Sequence, residues 1–188
     1  MTADADQLQL AHKLHKSHKS HKSHKSNKSN KSYTPPMTDK PDLLQLALNS
    51  LPHGPEFRFV DRLLSLTPGQ EGVGEYRVRG DEYYLRGHLP GEPILPGVLL
   101  VEAGAQVAGM VAQEDPAHPS LPRLKLAALR TVKILGAVHP GETVVIQAAI
   151  IGRLGALVQA RVSARVSGAE VMSAELTLSG TAPVSVDH

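Results

Sequence analysis

The stretch RGHLPGEPILPGVLLVEAGAQVAGMVA, residues 86–112, decides the fold. Its second half is apolar or small almost throughout, with Ala103, Gly104, Ala105, Ala108, Gly109 and Ala112 interleaved among Val and Leu. Pro96 and Gly97 precede this run, so the spacing predicts one long helix over Val98–Gln113. A helix that is apolar on nearly every side must be buried on nearly every side. Its small residues let neighbouring backbone approach closely. Read alone, the segment also fits a helix inside a bundle.

The sequence downstream argues against a bundle. Leu126–Leu135, Glu142–Arg153, Ala156–Gly168 and Ala169–Gly180 are rich in Val, Ile, Leu and Ala. Their polar residues fall at about every second position. Gln159, Arg161, Ser163 and Arg165 alternate with Val158, Ala160, Ala164 and Val166, which is the period of a half-buried strand. The turns HPGE, GRLGA and SGAE separate four consecutive strands, and such short connections imply antiparallel pairing. Upstream, Phe57–Gly69 reads as a strand ending in a Pro-Gly turn, and Gly72–Gly80 as its hairpin partner. A short helix is expected over Asp39–Asn49, where Pro41 and Asp42 precede a leucine-rich run. The fold class is α+β: an antiparallel sheet of about six strands around one long buried helix.

Charge divides the chain. Residues 1–36 carry a net of +5 and residues 37–188 a net of −3, so the basic balance belongs to the first segment. The globular part therefore gives no reason to expect nucleic acid, and two Phe, four Tyr and no Trp offer little for base stacking. Residues 12–32 are seven tandem triplets, HKL, HKS four times and NKS twice. Such a segment cannot offset its ordering entropy and is expected to be a disordered tail. One form of that reading places it upstream of a true start at Met37. Metal capture by His12, His15, His18, His21 and His24, or attachment to an anionic surface, are the competing readings. The division is thus a 1–36 low-complexity tail and a 37–188 domain.

No cysteine is present, which excludes disulfides and thiolate metal sites and fits a reducing compartment. The best candidate for a membrane span, Ile94–Ala112, is interrupted by Pro96, Glu102 and Gln106, whereas a span needs about 20 apolar residues. Membrane insertion is not expected, and a cytoplasmic location is.

The chemistry gathers in the opening stretch. An ionised carboxylate withdrawn from water is costly unless paired or hydrogen-bonded. A carboxyl group that keeps its proton in such a place can serve as a general acid, which makes Glu102 a candidate. Gln106 lies one turn further on the same helix face and could orient that carboxyl. The competing reading leaves Glu102 facing a solvent gap or a structural partner. His88 stands in GHLPGEPILPG, where three Pro and three Gly in eleven residues make a stiff loop with accessible backbone N–H groups. That loop feeds a helix start at Gly97 and Val98, whose free N–H groups and dipole suit a developing negative oxygen. Base, acid and oxyanion site within one segment describe proton abstraction beside a carbonyl. The other histidines, His53, His118, His139 and His188, read as structural or incidental. Phosphate-binding loops, nucleophile elbows and, outside the tail, metal-ligand spacings are not recognisable.

GHLPGEPILPGVLLVEAGAQ closely resembles the signature of the β-hydroxyacyl-acyl-carrier-protein dehydratases of bacterial fatty acid synthesis. His88, Pro90, Gly91, Pro93, Pro96, Gly97, Val98, Glu102, Ala105 and Gln106 fit the pattern with its spacing intact. Weaker similarity extends to Leu51–His53, Phe59–Leu64 and His139–Glu142 and covers most of residues 43–180. The resemblance implies a hot-dog fold, with the sheet wrapped around the Val98–Gln113 helix. It implies that His88 removes the α-proton of a β-hydroxyacyl thioester and that Glu102 protonates or positions the departing hydroxyl. The Gly97 N–H would bind the thioester oxygen, with Val98 and Gln106 beside the substrate. It further implies a homodimer with active sites shared between subunits, a trimer of dimers as the next assembly, and acyl carrier protein as the partner. The acyl chain would arrive on the carrier's phosphopantetheine arm, and no cofactor or metal would be required. Gly54, Pro55, Glu56 and Phe57 stand where the family has Arg-Tyr-Pro-Phe; the first three depart and remove the gating Tyr, and Gly136 and Ala137 replace Arg-Pro. A hot-dog thioesterase and a non-catalytic acyl-binding subunit are the alternatives.

Overall fold

The structure, a computed structural model, describes residues 42–181; the readings of the 1–36 tail lie outside them. Helix α1 spans Leu43–Asn49 and begins at Asp42, whose side chain accepts a hydrogen bond from the Leu44 N–H at 3.2 Å. This is the cap that an Asp before a leucine run provides, worth about 1 kcal/mol. A 3₁₀ turn, Pro55–Phe57, leads to strands β1 (Arg62–Thr67) and β2 (Glu71–Arg77). A four-residue helix α2 (Leu85–His88) precedes the long helix α3 (Gly97–Gln113). Strands β3 (Lys125–Ile134), β4 (Thr143–Leu154), β5 (Leu157–Val166) and β6 (Ala169–Ser179) follow.

The six strands form one antiparallel sheet in the order β1-β2-β4-β5-β6-β3. Alternation along β5 places Val158, Ala160, Val162 and Ala164 in the core and leaves Gln159, Arg161 and Arg165 exposed, as the period-two pattern requires. Helix α3 lies across the inner face of the sheet. Eleven of its residues are buried, from Leu100 to Ala112. The close approach depends on small residues on both sides. A β-carbon on Gly104 would lie 2.9 Å from Val162, and one on Gly72 of β2 would lie 2.7 Å from Val111 of the helix. The expected α+β architecture, a sheet of six strands and one buried helix, is what the chain adopts.

Two sequence expectations are corrected. The four consecutive strands do not pair in sequence order. Strand β3 leaves α3 for the far edge of the sheet, where it pairs only with β6, and β4 returns to the middle beside β2. The returning segment is tied down at three points. The Leu135 N–H donates to the Val171 carbonyl at 2.8 Å, the Leu95 N–H to that of Val138 at 2.8 Å, and the Gly141 N–H to that of Val78 at 2.7 Å. The first strand also begins at Arg62, not at Phe57. The main-chain groups of Phe57 and Phe59 are taken by a side chain of α3 and are withheld from the strand ladder.

Every residue of β3 is exposed along its length. Leu126, Leu129, Val132 and Ile134 are among the large apolar side chains left in solvent, together with Leu135 and, at the start of α3, Val98. An unpaired sheet edge bearing such a row is a surface prepared for another chain. Among the described residues no helix is long and apolar enough to cross a membrane.

Candidate active site

Glu102 projects from the second turn of α3 into a cavity of about 380 Å³. Leu51, Ala105, Met110, Leu124, Leu126 and Leu178 give the cavity apolar walls, while His53, Gln106, Gln113, Arg123 and Lys125 join Glu102 among its polar and charged lining. The sequence placed a carboxylate in a greasy helix, and the fold resolves the cost by opening this space beside it. The Glu102 side chain stays 21% exposed and is hydrogen-bonded, so it is neither isolated nor buried alone.

Gln106 is the one buried polar side chain of the described core, at 2% exposed. Its Oε1 accepts the Phe59 N–H at 2.9 Å. Its Nε2 donates to the Phe57 carbonyl at 2.9 Å and to Glu102 Oε1 at 3.1 Å. A backbone N–H can only donate, so the Phe59 bond fixes which end of the amide is oxygen and turns the nitrogen toward Glu102. Gln106 thus lines the cavity with both polar atoms already committed. It joins the segment before β1 to the carboxyl group.

His53 is the residue that sequence reasoning missed. Read as incidental in a turn, its Nε2 lies 3.3 Å from Glu102 Oε1. Its ring stacks beside Phe57 with centroids 6.1 Å apart, and its carbonyl accepts from Arg58 Nη2 at 3.3 Å. The Leu51–His53 match to the family pattern was the available signal, but no local periodicity says that this turn folds back onto α3.

His88 ends α2, and its Nδ1 lies 3.2 Å from the Ile94 carbonyl. A carbonyl only accepts, so this contact calls for a proton on Nδ1 and leaves the Nε2 lone pair available as a base. The loop is braced by the turn bond from Glu92 N–H to the Leu89 carbonyl at 3.0 Å, with Gly91 at a φ of +93°. Upstream, Glu82 accepts from the N–H groups of Arg79 and Gly80 at 2.6 and 2.7 Å and from the Tyr76 hydroxyl at 3.3 Å. Burial alone would push the Glu82 carboxyl up, but these donors prevail and hold it below the usual range. The Tyr76 and Tyr84 hydroxyls share a 2.8 Å hydrogen bond, and burial, reinforced by that bond, pushes Tyr84 far up. This cluster fixes the residues that enter α2 and hence the position of His88.

Within one chain His88 does not line the cavity that holds Glu102. At the start of α3 the Leu99 N–H bonds to the Pro96 carbonyl at 2.8 Å, whereas the N–H groups of Gly97 and Val98 have no acceptor among the described residues. Val98 is 73% exposed, and Gly97 lies against Ile134 at the end of β3. The free amides that close the His88 loop therefore adjoin the end of the unpaired β3 edge at Ile134. Among the described residues no group of three or more His, Cys, Asp or Glu is placed to hold a metal ion.

Residues 51–175 match the family model of the FabA-like domain. The chain is 40% identical over 101 residues to the 3-hydroxyacyl-[acyl-carrier-protein] dehydratase FabZ of Chloroflexus aggregans, an alignment that takes in 53% of this chain and 69% of the relative. It is 33% identical over 141 residues to the FabZ of Caldicellulosiruptor saccharolyticus, covering 74% of this chain and 96% of that one. Among solved structures, the dehydratase heterocomplex ApeI:P from Xenorhabdus doucetiae superposes with a TM-score of 0.59 at 17% identity, over 70% of this chain and 88% of that chain. Zebrafish thioesterase superfamily member 2 superposes with a TM-score of 0.55 at 17% identity, over 72% and 91%. The two structures share the hot-dog fold with this chain and differ in chemistry, so the fold alone does not choose the reaction.

Proposed function

The chain belongs to the FabA-like family, among relatives of the 3-hydroxyacyl-[acyl-carrier-protein] dehydratase FabZ, and on that premise we propose that it converts β-hydroxyacyl thioesters carried on acyl carrier protein to trans-2-enoyl thioesters. The carrying observation is the Glu102 carboxyl, held by Gln106 at the wall of an apolar cavity. His88 Nε2 takes the α-proton of the substrate. The electrons of that C–H bond form the double bond as the β C–O bond breaks, and Glu102 gives its proton to the hydroxyl, which leaves as water. The Gly97 N–H, with that of Val98, receives the negative charge that develops on the thioester oxygen. A proton returning from His88 to Glu102 completes the cycle. Carbon is neither oxidised nor reduced overall, so the two side chains carry every proton that moves and the reaction calls for no redox carrier.

The active unit is a homodimer in which His88 of one subunit serves the cavity that holds Glu102 of the other. Two features support this: His88 does not line the Glu102 cavity of its own chain, and the exposed apolar row of β3 borders the Gly97 amide. The acyl chain occupies the apolar cavity, and the carrier protein presents it on its phosphopantetheine arm.

The test follows the ultraviolet absorbance of an enoyl thioester offered to the purified protein across a ladder of chain lengths. Wild-type protein should hydrate it, and His88→Ala or Glu102→Gln should each lose about a hundredfold to ten-thousandfold, the usual worth of one general acid or base. Release of free thiol would make the protein a thioesterase. A folded dimer silent at every chain length would make it a binding subunit.

A further inference from the structure

We propose that His53 is a positioning residue for Glu102, and that with Gln106 it assigns the two carboxyl oxygens different tasks. The inference rests on the dehydratase reading and deepens it. Both polar neighbours of the carboxyl meet the same atom. Gln106 Nε2 approaches Glu102 Oε1 at 3.1 Å and His53 Nε2 approaches it at 3.3 Å. The Gln106 nitrogen is a donor, since the Phe59 N–H fixes the amide's orientation. Oε1 is therefore an acceptor on that side, and the shorter contact excludes a proton there directed at Gln106.

The His53 ring resolves the other side. Its Nδ1 is buried and has no hydrogen-bond partner in the structure. A bare ring nitrogen leaves one unmet acceptor there, whereas a protonated one would bury an unmet donor, and a fully protonated ring would add a charge. We therefore place the ring proton on Nε2, with Nδ1 bare, so that Nε2 faces Oε1 across the 3.3 Å contact as a second positive neighbour beside the Gln106 hydrogen bond. With Oε1 so occupied, the mobile proton of Glu102 belongs to Oε2. That is the oxygen with no protein partner among the described residues, and it is the one that gives a proton to the departing hydroxyl. His53 itself touches neither the reacting carbons nor the hydroxyl. The stacked Phe57 ring, which lines the cavity beside it, keeps the imidazole in this plane.

The experiment uses the full chain and the enoyl-thioester hydration assay with His53→Phe and His53→Gln. Phe keeps the ring stack and removes the donor; Gln restores an N–H at about the reach of Nε2. His53→Phe should lower kcat by about tenfold to a hundredfold, the scale of a misplaced catalytic group, with KM within about twofold. His53→Gln should recover most of the loss. Full kcat in the Phe variant overturns the proposal, as does a Gln variant no better than the Phe one. An independent reading comes from the ¹⁵N resonances of the wild-type ring, assigned by their absence in His53→Gln. They should report a protonated Nε2 and a bare Nδ1, and the Nε2 signal should move in Glu102→Gln. The opposite tautomer overturns the proposal whatever the activity. A wild-type protein inert toward all thioesters would end the dehydratase reading, while the ring spectrum would still decide whether His53 donates to Glu102.

Discussion

Replacing Gln106 by Leu removes a side chain of similar bulk from the place where α3, the segment before β1 and the carboxyl group meet. Three hydrogen bonds disappear at once, to the Phe59 N–H, the Phe57 carbonyl and Glu102 Oε1. The Phe59 N–H is buried and cannot turn to water, so it bears the full cost of an unmet donor, about 1–3 kcal/mol. Phe57 lies in an exposed turn where water can reach its carbonyl in part, which adds about 1 kcal/mol or less. The extra apolar surface of Leu offsets a fraction of this. The expected loss is about 1–3 kcal/mol, a large share of the roughly 5–15 kcal/mol that holds a domain together. Urea unfolding at one fixed protein concentration measures it, since assembly makes stability concentration-dependent. The urea slope should stay unchanged while the midpoint falls. Gln106→Glu keeps the acceptor for Phe59 but sets an acceptor against both Glu102 Oε1 and the Phe57 carbonyl. Burying a second carboxyl beside Glu102 is itself costly, so this variant should be no more stable than the Leu one and should also lose turnover. A Leu variant within about 0.5 kcal/mol of wild type, the range of an ordinary surface change, would refute the account of Gln106 as the tie between these elements.

Mixing His88→Ala and Glu102→Gln subunits, each inactive alone, should restore about a quarter of wild-type hydration if random pairing makes half the dimers mixed and each mixed dimer has one intact shared site. No recovery after verified exchange would mean that both groups act within one chain. Gly104→Ala improves helix propensity by about 1 kcal/mol but drives a methyl against Val162 at 2.9 Å. The overpacking should win, and a rise in melting temperature would show that the helix can move off the sheet at little cost. The Glu82 carboxyl is held below its ordinary value in the folded state, so its contribution is fully present above the unfolded value, about pH 4.3, and fades as pH falls through the folded one. In urea unfolding, wild type should exceed Glu82→Gln at pH 7, and the gap should close on acidification; a gap that widens toward acid would reverse the sign assigned here. A chain starting at Met37 should fold and turn over as the full chain does, and a marked fall in solubility or rate would give residues 1–36 a part to play.

Sequence periodicity determined what could be settled locally. Glu102 and Gln106 sit four residues apart on a run too apolar to be anything but a buried helix, so their shared face was legible, as was the alternation that made β5 a strand. The His-Pro-Gly loop carried the family pattern and with it the expected roles of His88 and Gly97. Tertiary structure decided the rest. Period-two alternation says that β3 is a strand but not which edge it joins, because its pairing partners in β6, from Ser179 for Lys125 to Met172 for Ile134, lie far along the chain and leave no mark on β3 itself. The late start of β1 and the arrival of His53 at Glu102 have the same origin. Both depend on Gln106 and Glu102 reaching residues 47 to 49 positions back along the chain. A side chain that captures backbone at that range follows from packing α3 onto the sheet, which no local window of residues contains.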